Sequence, residues 1–160
     1  MGIGWHPYFR LPSGQREQAR LHLPATLRAP ANNYDEVLPT GVIEKVAGTK
    51  FDFTAPDGVP MGKLFLDDCF TGLVKSGDNT ASEIRDPAAA YGIRIIALSP
   101  ESKAIQVYSP PEKDFIVLEP QFNLADPYNT KVWKKRETGM VLLQPGQSVA
   151  YKTRLELFKP

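Results

Sequence analysis

Two short stretches place a titratable side chain among apolar neighbours. In Phe115-Ile116-Val117-Leu118-Glu119-Pro120-Gln121-Phe122-Asn123, four apolar residues run straight into Glu119 and then a proline. A carboxylate at the end of a buried strand has its pKa raised by desolvation, which suits a general base better than a solvated surface charge. In Gly4-Trp5-His6-Pro7-Tyr8-Phe9, the imidazole of His6 sits among aromatic residues. Histidine is the side chain best fitted to give up a proton near neutral pH. Together they offer one acid and one base for proton transfer. Taken singly, each has a plainer reading: a structural histidine packed between rings, and a strand-end carboxylate capped by an amide or paired with a lysine.

The elements that must position these groups are short. The 15 prolines and 12 glycines are scattered along the whole chain and leave little room for long helices. Leu21, Leu23 and Ala25 alternate with Arg20, His22 and Pro24, predicting a half-buried strand with His22 toward solvent. Asn32-Asn33-Tyr34-Asp35-Glu36 followed by Leu38-Pro39-Thr40-Gly41 is turn chemistry and predicts a shaped loop. The runs Gly92 to Leu98 and Ala104 to Tyr108, separated by a short polar segment, predict a hairpin. Met140 to Leu143, the turn Gln144-Pro145-Gly146-Gln147, and Val149, Tyr151, Thr153, Leu155 and Leu157 at period two predict a closing antiparallel pair. Short strands at this spacing argue for an all-β antiparallel sandwich, one domain over residues 1–160.

Composition narrows the partners. With 19 basic and 18 acidic residues the formal net charge is +1, which offers no electrostatic footprint for nucleic acid or an anionic membrane. The cluster Lys131, Lys134, Lys135 and Arg136 beside Glu137 reads as a solvated face. Cys69 is the only cysteine and reads as an inert, half-buried thiol in a reducing compartment. No signal-peptide pattern and no membrane-length apolar run is present, so the expected location is cytoplasmic. His6, His22 and Cys69 match no zinc spacing, and neither a phosphate loop nor a dinucleotide fingerprint is found. The expected chemistry uses side-chain acids and bases on a neutral small molecule, with no cofactor and no metal.

Several motifs in the same order resemble the aldose 1-epimerase (galactose mutarotase) family over almost the whole chain. His6-Pro7-Tyr8-Phe9 is similar to the family's His-x-Tyr-Phe segment, and Tyr34 to Gly41 with Gly48 to Phe53 to its long central loop. Asp67-Asp68-Cys69-Phe70 is similar to its Asp-x-x-Phe sugar-binding segment, Leu118-Glu119-Pro120-Gln121 followed by Asn129 to its catalytic glutamate region, and Leu143 to Gly146 to the turn before its last strand.

The resemblance implies a β-sandwich that interconverts the α and β anomers of a hexose. Glu119 would take the C1 hydroxyl proton while His6 protonates the ring oxygen, with space for a pyranose between them. Asp67, with Asp68 as the close second choice, would hold sugar hydroxyls, joined by Gln121; both aspartates read equally well as turn residues. Tyr8, like Trp5 and Phe122, offers a ring for stacking on the sugar, although a core role suits some of these rings.

The resemblance covers only the C-terminal half of the family, so it also implies a partial sandwich lacking N-terminal strands, a binding arginine and a second histidine. Unpaired strand edges and an uncovered apolar face then call for a homo-oligomer or a complementing chain. The alternative function is a non-catalytic carbohydrate-binding or interaction module of the same fold.

Overall fold

Alternation between apolar and polar side chains divides the chain into strands of two to eight residues, as short as its prolines and glycines demand. The computed structural model describes residues 1–160. In chain order the strands are β1 (Tyr8–Arg10), β2 (Arg20–His22), β3 (Ala25–Ala29), β4 (Glu44–Lys45), β5 (Val59–Pro60), β6 (Leu66–Leu73), β7 (Thr80–Asp86), β8 (Tyr91–Ala97), β9 (Ala104–Ser109), β10 (Phe115–Gln121) and β11 (Thr153–Phe158). A single helical turn, α1 (Thr130–Trp133), lies between β10 and β11, its first turn capped by the Asn129 side chain.

The strands form two antiparallel sheets. One has six strands in the order β1-β10-β9-β6-β3-β4, the other five in the order β11-β8-β7-β2-β5. Leu66, Phe70, Ile105, Val107, Ile116 and Leu118 of the first sheet pack against Leu21, Ile84, Ile93 and Ile95 of the second in an 18-residue core. Successive residues of a strand face opposite ways, so Asp67, Cys69, Gln106, Tyr108, Val117, Glu119 and Gln121 share the other, outward face of the six-stranded sheet. The segment after β10 folds back over part of that face, where Leu124 and Trp133 join Ala29, Cys69 and Ala104 in a smaller apolar cluster.

The predicted β-sandwich is present, and two of the predicted pairings are not. The runs expected to form a hairpin are β8 and β9, which belong to different sheets: β8 pairs with β7 and β11, β9 with β6 and β10. Their connection crosses between sheets, tied to one side by the Leu98 amide on the Lys152 carbonyl and to the other by the Lys103 amide on the Gln121 carbonyl. The expected closing pair is also replaced. Met140 to Leu143 form no strand, and β11 pairs with β8 instead. Cys69 is fully buried, not half-buried.

Candidate active site

Glu119 reaches the outward face because β10 keeps its alternation through the four apolar residues before it: Ile116 and Leu118 turn into the core, Val117 and Glu119 away from it. On its other side, β10 is paired with β1 only as far as Val117, and the next contact is an isolated bridge between Gly4 and Gln121. The backbone from Trp5 to Pro7 therefore leaves β10 unpaired at Leu118 to Pro120. The Phe122 amide donates across this edge to the Ile3 carbonyl, so Pro120, two residues earlier, faces the gap where no amide proton is needed. Gly4 lets the incoming chain lie this close, since a Cβ there would stand 2.9 Å from the Gln121 Cβ. The Tyr151 hydroxyl fills part of the gap by donating to the Pro120 carbonyl, and its ring packs on Phe122 at 5.6 Å.

The gap is where His6 meets Glu119. Its Nε2 lies 3.2 Å from the Glu119 Oε1, with the imidazole side chain 54% exposed and the carboxylate side chain 12%. The imidazole stacks on Tyr8 at 5.2 Å. Burial pushes the Glu119 pKa up to about 7, opposed by His6 and reinforced by the negative charge of Asp67. A base half-ionised near neutrality is well matched to proton transfer.

Asp67 and Asp68 separate cleanly. Asp67 shares the outward face with Glu119, and its Oδ1 accepts a hydrogen bond from the Gln106 Nε2 at 2.8 Å. Its pKa is raised by burial, and the charge of His6 reaches it in the opposite sense. Asp68 turns to the inner side, where its oxygens accept hydrogen bonds from the Arg28 Nη1 and, at 3.1 Å, the Tyr34 hydroxyl. Arg28 also pairs with Glu44 and lies 3.7 Å over the Phe51 ring. Asp68 thus anchors the loop that carries Tyr34, whose phenol is pushed up to about 12 by burial and by the Asp68 charge.

Of the six residues expected at the site, His6, Glu119, Asp67, Tyr8 and Gln121 lie on one face, and Asp68 lies on the other. Gln121 points its amide toward the Cys69 Sγ at 3.9 Å. Phe122 is fully buried, whereas Trp5 and Tyr8 are 42% and 59% exposed. Gln106 was not among the expected site residues; its signal is a lone amide alternating with Tyr108 between the apolar Ile105 and Val107. Instead of facing one another across a sugar-wide gap, His6 and Glu119 touch. Beside Asp67 a cavity of about 10 Å³ lies between Cys69, Gln106 and the loop residues Val37 and Pro39, so a ligand would rest on the open face. No cluster of three or more His, Cys, Asp or Glu side chains is placed to hold a metal ion. No helix is long and apolar enough to cross a membrane.

Residues 1–156 match the family described as aldose 1-epimerase. No curated protein sequence matches significantly. Among solved structures, a galactose mutarotase-like protein from Clostridium acetobutylicum superposes with a TM-score of 0.80 at 18% identity, over 100% of this chain and 48% of its own. A protein from Synechocystis sp. PCC 6803 gives 0.70 at 16% identity, over 100% and 45%. An aldose epimerase homologue from C. elegans gives 0.60 at 18% identity, over 76% and 42%. The chain spans about half the length of these relatives.

Proposed function

Because this chain belongs to the aldose 1-epimerase family, we propose that its outward sheet face binds a hexose and that His6 and Glu119 interconvert the anomers. The observation that carries this reading is the contact between an exposed imidazole and a desolvated carboxylate. The hydroxyl oxygen to be deprotonated and the ring oxygen to be protonated are both bonded to C1. An acid and a base side by side can therefore serve both at once, and need not stand a ring's width apart.

Glu119 takes the proton of the C1 hydroxyl as the C1 to ring-oxygen bond breaks, and the protonated His6 delivers its proton to the departing ring oxygen. The product is the open aldehyde. Rotation about C1–C2 presents the other carbonyl face; the ring hydroxyl then attacks, returning its proton to His6 while Glu119 returns its own to the new C1 hydroxyl. Each positioned group would contribute about 10²–10⁴ in rate. Asp67, held by Gln106, and Gln121 would bond the sugar hydroxyls, and Tyr8 would cover an apolar face of the ring.

The openness of the face favours a second reading, sugar binding without turnover. The two are separated by following α and β anomer signals of freshly dissolved glucose and galactose by NMR. Faster approach to equilibrium than in buffer supports the enzyme; binding with buffer-rate exchange supports the module.

A further inference from the structure

The basic cluster Lys131, Lys134, Lys135 and Arg136 takes no part in the chemistry above. Beside Glu137 in sequence it reads as a solvated face, but the fold separates the acid from the four cations. All four line one groove of about 710 Å³, shared with the loop at Gly41, whereas Glu137 lines neighbouring hollows beside Lys103. No carboxylate lines the groove. Every ion pair of the chain lies among other residues, so none of these four charges is neutralised from within.

The backbone that carries the cations is held in place. The Trp133 indole N–H donates to the Ala125 and Asp126 carbonyls, each at 3.1 Å, and its ring is buried. The Lys134 amide closes the turn of α1 on the Thr130 carbonyl at 2.8 Å, and Lys134 leaves that turn with a φ of 55°, a positive value that a lysine rarely adopts. Gly41 lies so close to the Val132 carbonyl that a Cβ would collide with it, which ties the loop to the turn. The amides of Gly41 and Lys135, both lining residues, have no acceptor within the chain.

Four fixed cations without a counter-charge repel one another, and an anion that enters among them relieves that repulsion. A phosphate group carries about −1.5 to −2 at pH 7, so two such groups balance the four. Over the whole chain 19 basic residues meet 18 acidic ones, which confines the positive field to this groove and suits a compact anion better than an extended one. We propose that the groove binds a small molecule carrying two or more phosphate groups. It shares no lining residue with the hexose face and does not depend on that reading.

The test is isothermal titration of the full chain, free of divalent metal, with pyrophosphate, inorganic phosphate, hexaglutamate and a short single-stranded oligonucleotide. Pyrophosphate is expected to bind about tenfold more tightly than inorganic phosphate. The double variant Lys131→Gln with Lys135→Gln, which keeps two polar side chains and removes two charges, is expected to weaken pyrophosphate about tenfold. Arg154→Gln, which removes a cation paired with Glu156 on β11, is expected to leave it unchanged. Absence of pyrophosphate binding, equal affinity for pyrophosphate and phosphate, no loss in the double variant, or an equal loss in Arg154→Gln overturns the proposal. Tighter binding of hexaglutamate or of the oligonucleotide than of pyrophosphate also overturns it, and assigns the groove to an acidic peptide or a nucleic acid instead.

Discussion

His6, from the loop before β1, and Glu119, from the end of β10, meet at 3.2 Å across an edge that Pro120 leaves without an amide donor. The contact is built by the loss of strand pairing between Gly4 and Tyr8. It joins a half-exposed imidazole to a carboxylate whose side chain is only 12% exposed.

The pKa of Glu119, pushed up to about 7, predicts that kcat/KM for mutarotation rises with pH as the carboxylate ionises. The midpoint of that acid limb is expected near 7, well above the ordinary carboxylate value of 4.5. A limb centred in the ordinary carboxylate range would mean that Glu119 is not the base.

The same shift predicts a stability signature. A carboxyl group with a raised folded pKa favours the folded state fully below its unfolded value, and that contribution is lost as pH rises toward and through 7. Glu119→Gln removes the titration. The variant should gain on the wild type between pH 5 and 8 by on the order of 2 kcal/mol, discounted for the open side of the site. Urea unfolding at several pH values reads it directly.

Asp67→Asn tests the electrostatic coupling across the face. The Asp67 charge helps hold the Glu119 pKa up, so neutralising it should move the acid limb of the pH profile to lower pH. An unmoved limb would show that the two carboxylates do not sense each other.

Asp68 has a different task. Asp68→Ala would leave the guanidinium of Arg28, 13% exposed, without its buried partner, at a cost of about 3–5 kcal/mol in urea unfolding. Tyr34→Phe removes one hydrogen bond to Asp68 and should cost about 1–2 kcal/mol.

The edge strand β11 carries Leu155 and Leu157 opposite the core residues Ile95 and Ile93, yet they are 43% and 74% exposed. They continue the core face beyond the cover of the other sheet. Self-association through this edge is expected, with Leu157→Lys lowering the apparent mass in light scattering. A strictly monomeric wild type at all concentrations would contradict it.

Much of this site is legible in the residues. The apolar run before Glu119 implies a buried strand with its carboxylate at the rim, and it is one. Which aspartate faces the site was open, because neighbouring residues in a strand always face opposite ways and only the register tells which way is out. The polar segment from Ser99 to Lys103 fits a hairpin and a sheet-to-sheet crossing equally well, since alternation reports the face of a strand and not its partner.

The most direct test is the polarimetric rate at which freshly dissolved α-glucose or α-galactose reaches equilibrium, with wild type and Glu119→Gln measured at pH 7 beside buffer. The account predicts that the wild type accelerates mutarotation and that the substitution removes about 10²–10⁴ of the gain. Acceleration that survives in Glu119→Gln, or a wild type indistinguishable from buffer while sugar is bound, would contradict it.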